Sequence, residues 1–219
     1  MTTGRAIALA MLLALPLAMT SSPALVHAQD AQADDDAAAA ERLATERMRQ
    51  RGERWEEGLG LIVYGATSAI AGGVIAAIGH QDERLLWAGL GSAAWGLINI
   101  PFGIPMLDPS GGELRRIGEE RSLRGDALRL RREDLARDQY GSASVFAFNG
   151  GLDVFYIATG VLLAVLGEVL DPEIPGLTGY GVAMGIQGVG LLAYDLAGWI
   201  RAADRGTRML TLERAERAE

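Results

Sequence analysis

Asn149, Asp153, Tyr156 and Gly160 follow one another at steps of four, three and four residues, the spacing that puts side chains on one face of a helix. Asp195 stands next to Tyr194, Asn99 lies one turn beyond Trp95, and Tyr64 and Gln187 are further polar groups inside otherwise apolar runs. Carboxyls, amides and phenols in such settings support two kinds of chemistry. They can form a satisfied hydrogen-bond network that fixes helix register, each bond worth about 1 kcal/mol in a membrane. They can also bind a proton or a cation, with Asp153 as the group that titrates. A charged, unpaired aspartate deep in an apolar setting is costly, so Asp153 is expected to be protonated, hydrogen-bonded or in contact with water. Two neighbouring carboxyls can share one proton, and no arginine stands at a similar depth to neutralise them.

Most other chemistries lack their reagents. The chain has no cysteine, and all 20 of its basic residues are arginine. That removes disulfides, thiolate ligands, cysteine nucleophiles and lysine-based mechanisms. His27 and His80 are the only histidines, and neither an HExxH helix nor a G-x-S-x-G turn occurs. Its glycines follow no strand-to-helix pattern that would cradle a phosphate. Enzymatic activity is therefore not expected, nor is a cofactor or a bound metal. With a formal charge of -8 and no basic block free of acids, nucleic acid is not an expected partner.

The elements that must carry the polar residues are membrane helices. Hydrophobic residues make up 49% of the 219 positions, and four apolar runs, near 58–79, 85–106, 144–169 and 177–200, each reach the roughly 20 residues that cross a bilayer core as a helix. The short turns HQDER and DPEIP make each successive pair an antiparallel hairpin. The expected fold is all-α: an integral membrane bundle of four transmembrane helices in two hairpins, spanning 58–203, with an amphipathic connecting helix between them. That polar connector, 107–143, opens with DPSGG and holds eight arginines and eight acids, with Glu120–Arg124 and Glu133–Arg137 at i, i+4 spacing. Leu114, Ile117, Leu128 and Leu135 are expected on its apolar side.

Residues 1–28 have the form of a signal peptide: Arg5, an apolar core from Ala6 to Met19, and Val26-His27-Ala28 before the cut. An uncleaved first membrane helix is the alternative. Residues 29–57 are expected as a solvated, charged helical spacer, and 204–219 as a charged tail. A cleaved signal peptide would put both mature termini in the periplasm of a bacterial inner-membrane protein. The arginine count points the other way, because 18 of the 20 lie in the spacer, in the connector and beyond the end of the fourth span, against Arg84 alone in the two short turns. The signal peptide is preferred here, since the first inserted segment usually sets topology.

Small residues are expected to hold the bundle together. Gly65, Ala69, Gly73 and Ala77 form an i, i+4 series in the first span; Ala88, Ser92 and Gly96, then Gly181 and Gly185, do so in the second and fourth. Pro101 and Pro105 should break or kink the end of the second span. GLIVY at 60–64 and GSAAWGLI at 91–98 have weak echoes in GLDVF at 151–155 and GIQGVGLL at 185–192, which leaves an ancient duplication of the hairpin open. Helices one and three start on the side where two and four end. At about 1.5 Å per residue, Asp153 lies roughly 14 Å from that surface, Asn99 roughly 10 Å and Asp195 roughly 8 Å. Tyr64 falls at a similar level, so each helix contributes a polar residue to one layer, with Gln187 deeper.

FNGGLDVFYIATG at 148–160 and LTGYGVAMGIQGVGLLAYDL at 177–196 resemble an uncharacterised family of small bacterial membrane proteins, a domain of unknown function with a signal peptide and four helices. WGLIN at 95–99 is a weaker match, with Gly96 where the family often has asparagine. The resemblance implies that Asn149, Asp153, Tyr156, Gln187 and Asp195 belong to one shared feature, and implies no activity. Two functions stay open: a structural or interaction protein of the cell envelope whose polar layer locks the bundle, or a small transporter or channel component moving protons or a cation past Asp153 and Asp195. The lipid bilayer is the expected partner, with a second copy of the chain or another membrane protein as further candidates.

Overall fold

The computed structural model describes residues 23–170 and 174–216, and side chains within 32–170 and 174–212. The first 22 residues of the expected signal peptide, most of the turn DPEIP and the end of the tail lie outside the described residues. Five α-helices run in order: α1 Pro23–Ile78, α2 Glu83–Gly103, α3 Gly112–Glu120, α4 Gly125–Leu170 and α5 Pro175–Glu216, with a 3-10 turn at Ile104–Leu107 after α2. Among the described residues all regular structure is helical. Four helices, α1, α2, α4 and α5, are long and apolar enough to cross a membrane. α1 packs along α2, α4 packs along α5, and α2 joins the hairpins by lying against α5, whereas α2 and α4 do not pack along their lengths.

Local chemistry sets the boundaries. Asp82 caps α2 by accepting from the backbone N–H groups of Arg84 at 2.9 Å and Leu85 at 3.3 Å. Pro101 is accommodated inside α2, and Pro105 lies in the first turn of the tighter 3-10 turn, which is capped by Asp108 in the left-handed region, φ 49°. Asp108 accepts from Glu113 N–H at 3.2 Å and from Arg51 Nε at 3.4 Å. Desolvation pushes its carboxyl up, but the bonds from Glu113 and Arg51 outweigh it and hold the group below the usual carboxylate range.

α4 and α5 meet along a seam with a period of seven. Arg132, Gln139, Phe146, Asp153, Gly160 and Gly167 recur on α4, and Gly181, Gly188, Asp195, Ala202 and Met209 on α5, all buried or half-buried. α1 and α2 repeat the device with Gly58, Gly65, Gly72 and Gly79 against Gly89, Gly96 and Gly103. At these positions backbone meets backbone: a Cβ on Gly65 would lie 2.6 Å from the Gly96 carbonyl oxygen, and one on Gly103 2.5 Å from that of Gly58. The expected i, i+4 stripe is corrected accordingly. Gly65 and Ala69 face α2, but Gly73 and Ala77 are exposed, and a Cβ on Gly73 would meet nothing within 4 Å. Steps of four drift off a helix face by about 40° each, while steps of seven drift by about 20° the other way, so two long helices stay in contact only along the second.

The expected solvated spacer is also corrected. α1 runs unbroken through it, and Ala39, Ala40, Leu43 and Ala44 are buried. Ala39, Ala40 and Leu43 form with Leu128, Leu135, Ala136 and Met209 the core of a helical head beyond the membrane segments. The connector is two helices rather than one, divided before Gly125 at φ 53°. Ile117, Leu128 and Leu135 are buried as expected but Leu114 is exposed, because the break reorients α3. The break also separates Glu120 from Arg124, and Glu120 bonds Arg47 and Arg131 instead; within α4, Glu133 bonds Arg129 and Arg137 bonds Asp134.

Two outcomes test this packing. Gly65→Ala should cost about 1–3 kcal/mol of stability in detergent because backbone cannot yield to the added methyl, whereas Gly73→Ala should change it by less than about 0.5 kcal/mol; equal melting temperatures would contradict the seam. Since the Asp108 carboxyl is depressed, its contribution is present above the unfolded value of about 3.9 and disappears as pH falls through the lower folded value. Acid melting curves should therefore lose a stabilising step in that window when Asp108→Asn is introduced.

Candidate functional site

Asp153 and Asp195 occupy seam positions, so the closeness that glycine imposes on α4 and α5 acts on two carboxyls. Both are buried, 3% and 6% exposed, and their side chains lie close enough to interact directly. Two facing carboxylates repel, so a proton shared between them stabilises the pair. Gly188 is what lets Asp153 sit there: a Cβ at 188 would lie 3.0 Å from the Asp153 carbonyl oxygen.

The pair borders a cavity of about 460 Å³ formed where α2 and α4 part. Asn99, Asn149 and Tyr156 also line it, so five of the seven sequence-predicted residues share one site. Trp95 and Tyr156, ring centroids 5.2 Å apart, reach across between α2 and α4. The other two form a separate pair. Tyr64 Oη donates to Gln187 Oε1 at 2.8 Å, against Gly190, whose missing side chain makes room for the phenol. The expectation that Tyr64 belongs to the aspartate layer, with Gln187 alone and deeper, is corrected: Tyr64 lies over Gly190, and its hydroxyl bonds Gln187 instead of a carboxyl.

The site is incompletely satisfied. Asn99 Nδ2 and Asp153 Oδ2 are buried and have no protein partner. A network whose whole purpose is to lock the bundle would be expected to close its bonds, since an orphaned buried polar atom costs roughly 1–3 kcal/mol. Toward the head the cavity borders a second of about 270 Å³, which shares Met106, Ser142 and Phe146 with it and is lined further on by Arg54, Glu57, Glu113 and Arg205. Tyr194 stands between them, its hydroxyl directed at the Glu57 carbonyl at 3.5 Å.

The sequence reading missed the charged cluster above the site. Arg205, 1% exposed, donates through Nη1 to Glu57 Oε1 at 2.8 Å and through Nε to Gln139 Oε1 at 3.0 Å. Arg208 reaches Glu46 at 2.8 Å and Glu53 at 2.9 Å, and Arg47 pairs with Glu120 at 3.3 Å. Burial lowers the Arg54 pKa, and Glu113 opposes that shift. A signal was available: Glu46 and Glu53, like Gln50 and Glu57, are seven residues apart, in the period of the membrane seam. Arg205→Leu should cost about 3–5 kcal/mol because it strands buried Glu57, and adding Glu57→Gln should recover part of the loss; thermal unfolding of the three proteins in detergent checks both.

Comparison with curated proteins and with solved structures finds no match. A family of unknown function, DUF6992, matches residues 60–196. That interval holds all four membrane-crossing segments apart from their outermost turns, most of both hairpin seams and every residue of the acidic cavity. On a match over more than half of its length, the chain belongs to the family of unknown function DUF6992.

Proposed function

We propose that this is a non-enzymatic integral membrane protein of the bacterial inner membrane, its helical head in the periplasm, whose Asp153–Asp195 pair takes up a proton or a cation as part of a transport or channel task. The single observation that carries this reading is the unpartnered Asp153 Oδ2, buried beside Asp195 and facing a cavity that adjoins a polar one in the head. The proton shared by the carboxyl pair is the exchangeable species, and the route past Tyr194 gives it a way toward water. Periplasmic placement of the head is favoured because the first inserted segment has the form of a signal peptide and usually sets topology.

A second reading has its own support. The closed Tyr64–Gln187 bond and the glycine seams are what a purely structural or interaction protein of the envelope would use. The two readings separate on Asp153→Asn, which keeps size and hydrogen bonding but cannot ionise. Expected are melting in detergent within about 1 kcal/mol of the parent and lost proton or cation flux in liposomes. Absence of flux from the parent protein at any pH rejects the transport reading; unaltered flux in the variant rejects the role of Asp153.

A further inference from the structure

Size, wall chemistry and charge say what else the cavity accommodates. A proton needs no volume and one water occupies about 30 Å³ in the liquid, yet the space beside the carboxyl pair is about 460 Å³. That is the range of small-molecule sites, roughly 300–1,000 Å³. Four aromatic rings line it: Phe102, Phe146, Tyr156 and Tyr194. Among the described residues its only ionisable lining groups besides the tyrosines are Asp153 and Asp195, and no arginine lines it. Aromatic faces and carboxyls together attract cations and reject anions. With one shared proton the pair carries a single negative charge, which one monovalent cation balances.

The cavity is also open to the side. Phe102 and Val145, 64% and 60% exposed, stand at its lining from α2 and α4, the two helices that do not pack together. In a bilayer that opening faces acyl chains rather than water. Asn99 Nδ2 and Asp153 Oδ2 wait unpartnered inside it, a donor and an acceptor that no protein group uses.

We infer that the cavity between α2 and α4 binds a lipophilic organic cation, which enters from the bilayer and places its charge between the aromatic rings and the Asp153–Asp195 pair. This rests on the cation-handling reading above and names the class of cation.

The test uses two ions of one shape and opposite charge, tetraphenylphosphonium and tetraphenylborate, in equilibrium dialysis against the full chain in detergent, with protein-free micelles as the baseline. Saturable binding of one tetraphenylphosphonium per chain is expected, with no saturable binding of tetraphenylborate. Asp153→Asn combined with Asp195→Asn, which removes the pair's charge while keeping its shape, should weaken the cation about tenfold or more. Phe102→Ala, a truncation at an exposed position that does not threaten folding, should weaken it about threefold. Equal binding of the two ions, or parent affinity in both variants, overturns the inference. Flux without tetraphenylphosphonium binding sinks this inference and leaves the proposed function standing; binding without flux does the reverse.

Discussion

Everything in this molecule depends on how closely glycine lets two helices approach. Apolar helices gain nothing by leaving lipid for each other, so association in a bilayer has to come from packing and from polar contacts. Here glycine recurs every seventh residue on both sides of each hairpin, and backbone carbonyls pack against bare Cα atoms. On α4 and α5 the same register is held by Asp153 and Asp195. Two carboxyls are thereby pressed into a space that water would otherwise fill, and their chemistry follows from that compression. A side chain on Gly188 would push the helices apart and dissolve the pair.

The same register continues out of the membrane. Beyond the aspartates the α4 and α5 seams carry Phe146, Gln139 and Arg132 on one side and Ala202 and Met209 on the other, and the period passes into the head without a break. Head and membrane segments are thus parts of the same helices, not domains joined by linkers. Arg205 shows the consequence. It is bound to Glu57, which lies at the start of the membrane segment of α1, and to Gln139 on α4. Tyr194, reaching from beside Asp195 to the Glu57 carbonyl, connects the acid pair to this ion cluster.

The four spans, the hairpin pairing and the common level of Asp153, Asp195 and Asn99 are legible in the sequence because they follow from hydrophobic length and from rise per residue. The packing stripe was only half legible. Gly65 belongs to both a four-residue and a seven-residue series, and sequence composition favours neither until the length of contact is known. Ala39, Ala40 and Leu43 were hidden among charges, since an apolar face of small residues in a polar segment resembles a solvated helix. The break at Gly125 could be seen as a glycine but not as a left-handed one. The cavity was not legible at all: it exists because α2 turns to α5 instead of α4, and no local signal encodes which neighbours a membrane helix leaves uncovered.

The central claim is that Asp153 and Asp195 act as one coupled unit held together by the glycine seam. A double-mutant cycle on Asp153→Ala and Asp195→Ala, which remove the carboxyls and their hydrogen bonds altogether, read as unfolding free energy in detergent, tests it most directly. Groups in contact give interaction energies of about 0.5–3 kcal/mol, while independent sites add to within about 0.5 kcal/mol. The account predicts a coupling above about 1 kcal/mol, because the first substitution removes the shared proton's second partner and the next then costs less. Additive effects of the two substitutions would show that the carboxyls do not meet, and would contradict the account.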